Sequence, residues 1–247
     1  NSSQNIAEQT FAQDNSGFHT LEYLIFLNGN PRDISSISSR QKEYIYYVTK
    51  KLLDDTVRLW AEWHGEKAIS DQRDAELIEN DEITIAGGED GFAELLRNPN
   101  MYQKYKTQNQ VLEEIIDNGL CNIANEVGTQ KIGNPYREQD VYAVESWYSF
   151  NSLDDYENNI ISIENSYLGG PAATRKSETS MSAYVASKNS DLDAEITKAI
   201  SDARKAIRDI PAPFRDQVTK GKVATIDTAM DKLAELNKSL KKIKSVL

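Results

Sequence analysis

Apolar residues recur three and four positions apart along most of this chain. Such spacing places one apolar stripe on one face of an α-helix, the seam by which helices pack in bundles. No segment shows the strict alternation of a half-buried β-strand. The sequence therefore predicts an all-α protein. The most regular stripe alternates three and four throughout and consists of Ile226, Ala229, Leu233, Leu236, Leu240, Ile243 and Leu247.

Further stripes and the breaks between them indicate several helices joined by modest loops. The stripes run from Ile45 to Trp63, from Leu112 to Val127, from Leu153 to Tyr167 and from Leu192 to Ile210. Glycine and proline are typical of breaks, and they predict a connector at residues 128–135. A serine, Ser38 or Ser39, is expected to cap the helix that follows it.

The length of the chain bounds its domain organisation. A chain of 247 residues forms one large domain or two small ones. We predict two four-helix-bundle-like domains packed together, the first at residues 1–130 and the second at residues 131–247. No apolar run approaches the roughly 20 residues that a membrane-spanning helix needs.

Charge and cysteine content narrow the classes of partner. The formal net charge is −11, and a chain this acidic repels phosphate backbones, so we expect no nucleic-acid partner. Cys121 is the only cysteine, which excludes an intrachain disulfide and a thiolate metal cluster.

The first residue is Asn, and no signal peptide is visible, so we expect a removed leader or a piece of a longer protein.

The run GFHTLEYLIF, Gly17 to Phe26, carries an imidazole and a carboxylate in an otherwise apolar helix. His19 and Glu22 are three residues apart and share one helical face. Burying such groups unpaired costs about 1–3 kcal/mol or more, so they require a partner. Three interpretations stay open: ligation of a metal such as iron or zinc, acid–base catalysis, or a structural hydrogen-bonded pair. Neither a HExxH motif nor a pair of Glu-x-x-His motifs is present.

A second polar stretch lies among aromatic residues near the middle of the chain. Glu145 and Ser149 are four residues apart, with Ser146 between them, and the spacing predicts one helical face. Asp155 and Asn159 repeat this spacing on the next helix. Two such faces meeting at a corner would line a pocket, while helix capping and solvation are the alternative explanation.

Together these two stretches resemble the imelysin-like proteins, the peptidase M75 family. The first is similar to the family's G-x-H-x-x-E signature. The second, from Glu145 to Gly170, resembles a later block of Glu-Ser, Tyr-Ser, Asn-Ser, Asp, Asn and Tyr-x-Gly. The segment IPAPF at Ile210 to Phe214, followed by an amphipathic helix, also fits. The resemblance implies two all-α bundles related by a pseudo-repeat, with a site between them.

The resemblance also implies which residues form that site. Family members carry a longer segment before the signature than the sixteen residues found here, so we expect an N-terminally incomplete chain. His19 and Glu22 would lie at the centre, with residues of the second bundle facing them and Arg137 as a charge partner. The implied ligand-binding residues are His19, Glu22, Arg137, Glu145, Ser146, Ser149, Asp155 and Asn159.

For function, the resemblance implies a bacterial envelope protein implicated in iron uptake, periplasmic or lipid-anchored in the outer membrane. The leading hypothesis is a binding protein that holds iron, an iron chelate or haem in a cleft between the bundles. His19, Glu22 and Glu145 would be the metal ligands. Other iron-uptake envelope proteins are expected partners, and any membrane association would require a leader or lipid anchor absent from this chain.

Two alternatives remain beside the binding protein. In an M75-type peptidase, His19 would act as the base and Glu22 would orient it, with a metal-bound water, Ser146 or Ser149 as the nucleophile. In a non-catalytic structural or interaction module, both polar patches would only satisfy one another in the core.

Overall fold

The computed structural model describes residues 15–80, 90–99 and 105–247, and these ranges confirm the predicted all-α class. Within them, no helix is both long and apolar enough to cross a lipid bilayer. The α-helices are α1 (Phe18–Ile25), α2 (Ser39–His64), α3 (Gln72–Glu79), α4 (Gly91–Arg97), α5 (Gln108–Glu114), α6 (Asn122–Glu126), α7 (Asn134–Glu138), α8 (Ser152–Leu168), α9 (Met181–Lys188), α10 (Ser190–Arg208), α11 (Arg215–Val218) and α12 (Ala224–Lys241).

Shorter elements connect these helices. Two-residue strands, β1 (Phe26–Leu27) and β2 (Asn30–Pro31), pair antiparallel directly after α1. Two π-helical segments, Ile115–Cys121 and Val127–Gly133, continue α5 into α6 and α6 into α7. The 3₁₀ helices are Ile34–Ser36, Glu66–Ala68, Val141–Ala143, Ser177–Thr179 and Lys242–Val246.

The connector predicted at residues 128–135 is wrong, because the chain stays helical there. Gly128 packs closely against α12, since a Cβ at this position would lie 3.1 Å from the Cβ of Leu233. Pro135 lies in the first turn of α7, where a proline is tolerated. A glycine and a proline therefore occur in this segment without ending the helix.

By its internal contacts the chain divides into two compact units, Asn1–Val111 and Leu112–Leu247. This division does not test whether each unit is a four-helix bundle. The predicted bundles at residues 1–130 and 131–247 therefore stay a prediction.

The second unit has a large apolar core built from the predicted stripes. α12 and α8 both pack on α10. Each contributes its stripe at helical spacing, as shown by the buried Tyr156 and Tyr167 on α8 and the buried Leu233 on α12. α10 begins at a side-chain cap, in which Leu192 N donates to Asn189 Oδ1 at 3.0 Å. The stripes thus decide which faces of these helices are buried.

In the first unit, α2 packs against α1 and α4. Ser38 caps α2 through a capping box with Gln41, as the sequence predicts. The hairpin that precedes it turns at Asn28 and Gly29, both with positive φ, and Arg32 N donates to the carbonyl of Ile25 at 2.8 Å. The chain therefore folds back onto the end of α1.

Candidate functional site

α1 presents the His–Glu pair that the sequence predicts. The helix begins after Gly17, whose φ of 86° lies in the region that favours glycine. His19 and Glu22 lie on one face of α1, and Nδ1 of His19 is 3.1 Å from Oε2 of Glu22. The glycine of the signature therefore starts this short helix, and its histidine and glutamate form a hydrogen bond on one face of it.

The two partners differ sharply in exposure. The side chain of Glu22 is 10% exposed, whereas that of His19 is 63% exposed. A carboxylate accepts from Nδ1, so a neutral imidazole held this way carries its proton on Nδ1 and its lone pair on Nε2. Within the described part of the chain, no hydrogen bond reaches Nε2 of His19. The arrangement offers one oriented imidazole nitrogen to a ligand.

Two exposed aromatic side chains lie on the same helix as this imidazole. Phe18 and Tyr23, both exposed, lie on the same helix as His19, and Tyr23 is one turn away from it. Thr20 donates from Oγ1 to the carbonyl of Ser16 at 3.1 Å and fixes the first turn. The exposed surface of α1 therefore combines an imidazole with aromatic rings.

The second polar stretch has a different backbone from the one predicted. Residues 145–150 form turns, and Ser146 and Phe150 have positive φ values of 53° and 65°. The prediction that Glu145 and Ser149 share a helical face is therefore wrong. The hydroxyl of Ser152, at the start of α8, donates to the carbonyl of Glu145 at 2.5 Å and closes the turn. Side chains that bond to nearby backbone in this way compete with helix formation.

The polar side chains of this stretch pair with one another and with α8. Asp155 accepts from Ser146 Oγ and, at 2.9 Å, from Asn151 Nδ2. The carboxylate of Glu145 pairs with Nζ of Lys131 at 3.0 Å. Asn159 lies one turn after Asp155 on α8, as predicted. The turn from 145 to 150 is thus held by a connected set of hydrogen bonds and one ion pair.

Two basic side chains contact this turn, and residue spacing in the sequence does not predict either contact. The guanidinium of Arg215 stacks on Trp147, with Cζ 3.7 Å from the ring centroid, and Nη1 donates to the Trp147 carbonyl at 3.2 Å. Lys131, which pairs with Glu145, comes from the π-helical segment before α7. Both are distant in sequence, so only the tertiary fold brings them to the turn.

The Tyr156 hydroxyl and the Trp147 indole N–H, both near the turn, differ in their hydrogen bonding. Burial raises the pKa of Tyr156, and the negative charge of the nearby Glu145 carboxylate raises it further. The Tyr156 hydroxyl donates to the Lys131 carbonyl at 3.0 Å. Tyr156 is therefore a neutral structural donor. Nε1 of Trp147 is buried and has no hydrogen-bond partner in the ranges that the structure describes. A buried donor of this kind is normally satisfied by ordered water or a bound acceptor.

Arg137, the charge partner implied by the resemblance, lies beside α12. Its Nη2 lies 3.8 Å from Sδ of Met230 on α12. Among the described residues it forms no ion pair. Its predicted role as a charge partner stays a prediction.

A bare metal ion requires several protein ligands close together. No group of three or more His, Cys, Asp and Glu side chains is arranged to hold a metal within residues 15–80, 90–99 and 105–247. His19 and Glu22 belong to the first unit and Glu145 to the second. The three-residue ligand set therefore stays a prediction. The described geometry supplies one imidazole and its supporting carboxylate.

Comparison with known proteins gives a family match and several relatives. The sequence model of the family Peptidase_M75, described as Imelysin, matches residues 1–240. A curated relative from Synechococcus elongatus, named iron-regulated protein A, is 27% identical over 232 residues, which is 92% of this chain and 56% of the relative.

Two crystal structures from other bacteria are similar. One, described as an iron-regulated protein A precursor from Parabacteroides distasonis, has a TM-score of 0.76 at 31% identity and is matched over 93% of this chain and 63% of its own. The other, described as an imelysin peptidase from Bacteroides ovatus, has a TM-score of 0.64 at 38% identity, over 79% of this chain and 51% of its own. The chain thus spans between half and two thirds of the length of these relatives.

Proposed function

Because the chain belongs to the imelysin family, we propose that it is an iron-related protein of the bacterial cell envelope that binds an iron chelate or haem through His19. Two of the relatives are named iron-regulated protein A, which supports a connection to iron at the level of the family. The chain spans little more than half of the curated relative, so the activity of the whole protein is part of the proposal.

The observation that carries the proposal is the hydrogen bond between His19 and Glu22. Metal-ligating histidines usually donate their other ring N–H to a carboxylate, which fixes the ring and makes the ligating nitrogen more basic. Here the carboxylate is nearly buried and the imidazole exposed, with 3.1 Å between Nδ1 and Oε2. The pair therefore has the order of groups that a metal–histidine–carboxylate arrangement needs.

The donor set favours a chelated iron over a bare ion. A bare ion needs several protein ligands, whereas haem or a partly chelated iron takes a single imidazole at an axial or open position. Among the described residues, His19 is the imidazole held by a carboxylate, and Phe18 and Tyr23 supply exposed aromatic surface on the same helix. Iron supplied in a chelate is here the cargo, and the protein contributes the ligand nitrogen and apolar contact.

Localisation and partners follow from the same premise. We propose an envelope location, either periplasmic or lipid-anchored, and contact with other iron-uptake proteins there. These are the surroundings in which a protein that retains an iron chelate would receive or pass on its cargo.

The proposal is tested by titrating the purified full-length protein with haemin and, separately, with ferric citrate. Absorption spectroscopy reports coordination of haem by imidazole, and elemental analysis reports retained iron. We expect His19→Ala to abolish coordination, because it removes the imidazole that the Glu22 carboxylate orients. We also expect binding to weaken as the pH falls, because protons compete with iron for the imidazole.

The chain offers a matched control, because it contains only one other histidine. His64 is exposed, stacks on Trp60 and shares a hydrogen bond with the Trp60 carbonyl at 3.0 Å. We expect His64→Ala to bind as the wild type does. Equal binding by His19→Ala and wild type would contradict the proposal. Peptide cleavage measured in the same samples, and lost in Glu22→Ala, would favour the peptidase alternative instead.

A further inference from the structure

A cavity of about 250 Å³ lies between α8 and α10 in the second unit. It contains none of the residues that the family resemblance implies for the site. Its volume is below the roughly 300–1,000 Å³ of pockets for drug-sized ligands. The cavity therefore suits a small molecule, and its walls indicate which chemistry that molecule has.

A network of ion pairs leaves this cavity with an excess positive charge. Arg204 pairs with Glu157 at 2.9 Å and also with Glu164, while Arg208 pairs with Glu157. Arg175 pairs with Glu164 at 3.2 Å. Three guanidinium groups thus share two carboxylates, and the network carries one net positive charge. In a protein with a formal net charge of −11, this is a local exception.

The excess charge is best placed for a ligand at Arg208. The guanidinium of Arg204 uses all three of its nitrogens, with Nε and Nη2 on Glu157 and Nη1 on Glu164. Arg208 donates only from Nη1 to Glu157, and across the described ranges no acceptor is found for its Nε or Nη2. Its side chain is 52% exposed at the edge of the cavity. A guanidinium edge of this kind matches a carboxylate in two parallel hydrogen bonds.

Hydroxyl groups on the same helical face extend this set of donors. Thr197, Ser201, Arg204 and Arg208 follow one another at intervals of four, three and four residues along α10, and all four line the cavity. Neither hydroxyl makes a hydrogen bond within the residues that the structure describes. At 1.5 Å rise per residue, Ser201 lies about 10 Å along the helix from Arg208, and Thr197 about 16 Å. Ser201 is therefore the hydroxyl available to an anion held by the long Arg208 side chain, and Thr197 lines the far end of the cavity.

The remaining walls define the rest of the ligand. Leu168 of α8 and Ile200 of α10 supply apolar surface, and Ile200 is almost fully buried. Glu164 also lines the cavity, and its carboxylate would repel a second negative charge. A single negative charge and a short aliphatic body together fit these walls.

We propose that this cavity is a binding site for small aliphatic monocarboxylates, in which Arg208 holds the carboxylate and Ser201 donates to it. Leu168 and Ile200 contact the aliphatic body, and Arg204 keeps Glu157 and Glu164 paired. The site is separate from the proposed iron-chelate site on α1, and neither proposal depends on the other.

The experiment is an NMR titration of the full chain at constant ionic strength with isovalerate, with its neutral amide isovaleramide, and with inorganic phosphate. We expect saturable shifts at backbone amides of α8 and α10 and at the Arg208 side chain with isovalerate. Isovaleramide should bind at least about tenfold more weakly, because it lacks the charge that the guanidinium pairs with. Phosphate should also bind more weakly, because it carries additional charge and has no aliphatic body.

Two variants that each remove one positive charge from α10 provide the matched comparison. Arg208→Gln should weaken isovalerate binding at least about tenfold, and Glu157 stays paired with Arg204 in this variant. Lys205→Gln, at an exposed position paired with Asp209 outside the cavity, should leave binding unchanged. Ser201→Ala tests the site without touching the ion network, and it should weaken binding severalfold.

Three results would overturn the proposal. One is the absence of a saturable shift with isovalerate in the wild-type protein. Another is equal weakening by Arg208→Gln and Lys205→Gln, which would show that only the overall charge matters. The third is binding of phosphate or isovaleramide as tight as that of isovalerate.

Discussion

At the residue scale, the signature pair consists of a nearly buried carboxylate, Glu22, and an exposed imidazole, His19. Glu22 accepts from Nδ1 of His19, and most of the imidazole stays exposed. The sequence alone allowed three interpretations of this pair, because spacing says that two side chains share a face but not which of them is buried. The difference in exposure is what favours a ligand-binding role.

The first prediction concerns the support that Glu22 gives to His19. Glu22→Gln keeps the size of the side chain but removes the negative charge of the group that accepts from Nδ1 of His19. We expect affinity for haemin to fall about 10–100-fold, as is usual when the partner of a ligating histidine is changed. Equilibrium titration followed by absorption spectroscopy measures it. Unchanged affinity would show that the carboxylate has no part in binding.

The second prediction is a pH dependence at Glu195. Hydrogen bonds from Lys242 and then Ser239 lower the pKa of Glu195 in the folded protein. A folded-state pKa below the unfolded value means that the stabilisation is present above the unfolded pKa and is lost as the pH falls through the folded pKa. Thermal denaturation of wild type and Glu195→Gln should therefore differ at neutral pH and converge in acid.

A matched control for this pH dependence lies on the same helix. Asp202 pairs with Lys198 four residues away on α10. Such a single pair contributes about 0.3–0.5 kcal/mol, whereas Glu195 accepts from both Lys242 and Ser239. Asp202→Asn should therefore change the denaturation midpoint less than Glu195→Gln at neutral pH. A difference between wild type and Glu195→Gln that stays constant into acid would contradict the prediction.

At the scale of elements, the sequence predicts the helices whose buried face is continuous. α8, α10 and α12 were predicted because each buries one apolar stripe in the core. The helical path through Gly128 and Pro135 was missed, because both residues usually mark a break and only the contact with Leu233 explains the glycine. The turn at 145–150 was missed because Ser146 and Phe150 adopt positive φ, and the Arg215–Trp147 stacking that accompanies it is a long-range contact.

The third prediction contrasts two glycines of the second unit. Gly169 ends α8 with a φ of 92°, and a Cβ there would lie 2.5 Å from the carbonyl oxygen of Lys176. Gly169→Ala should therefore destabilise the protein by more than about 1 kcal/mol. Gly119 lies in a helical segment with nothing within 4 Å of an added Cβ, so Gly119→Ala should stabilise by about 0.5–1 kcal/mol. Urea denaturation measures both, and equal effects would contradict the assignment.

The fourth prediction concerns a hydrogen-bonded junction of three helices. The Tyr167 hydroxyl of α8 donates to Oδ1 of Asp193 on α10 at 2.8 Å, and Ser182 of α9 donates to the same oxygen at 2.6 Å. Tyr167→Phe removes one donor from a charged acceptor and should cost about 1–3 kcal/mol of unfolding free energy. Tyr142→Phe, at an exposed position, should cost nearly nothing. Equal urea midpoints for the two variants would show that the junction does not stabilise the fold.

At the scale of the whole molecule, the two units differ in the size of their described cores. The second unit buries one cluster that extends from Ile116 to Ile243. In the first unit, the described buried cluster consists of Ala61 and Leu77, with a few partly buried neighbours. Phe18 and Leu59 of that unit are more than two-thirds exposed. Since buried apolar area is the main source of stability, the described core of the second unit should contribute more to stability than that of the first.

The fifth prediction follows from this difference. A fragment of residues 107–247 keeps the second unit and the start of α5, where Gln110 N donates to Thr107 Oγ1 at 3.2 Å. We expect it to fold alone and to unfold in a single cooperative urea transition, whereas the full chain should show an earlier transition for the first unit. Circular dichroism measures both. Loss of the cooperative transition in the fragment would show that the second unit needs the first.

The same fragment separates the two proposed sites. It lacks His19, so it should not coordinate haemin, but it contains the whole α8–α10 cavity and should bind isovalerate as tightly as the full chain does. NMR and absorption titrations of one preparation measure both properties. Haemin coordination by the folded fragment would move the iron site away from α1. Loss of isovalerate binding in a fragment that folds would mean that the cavity depends on the first unit, because all its described walls would still be present.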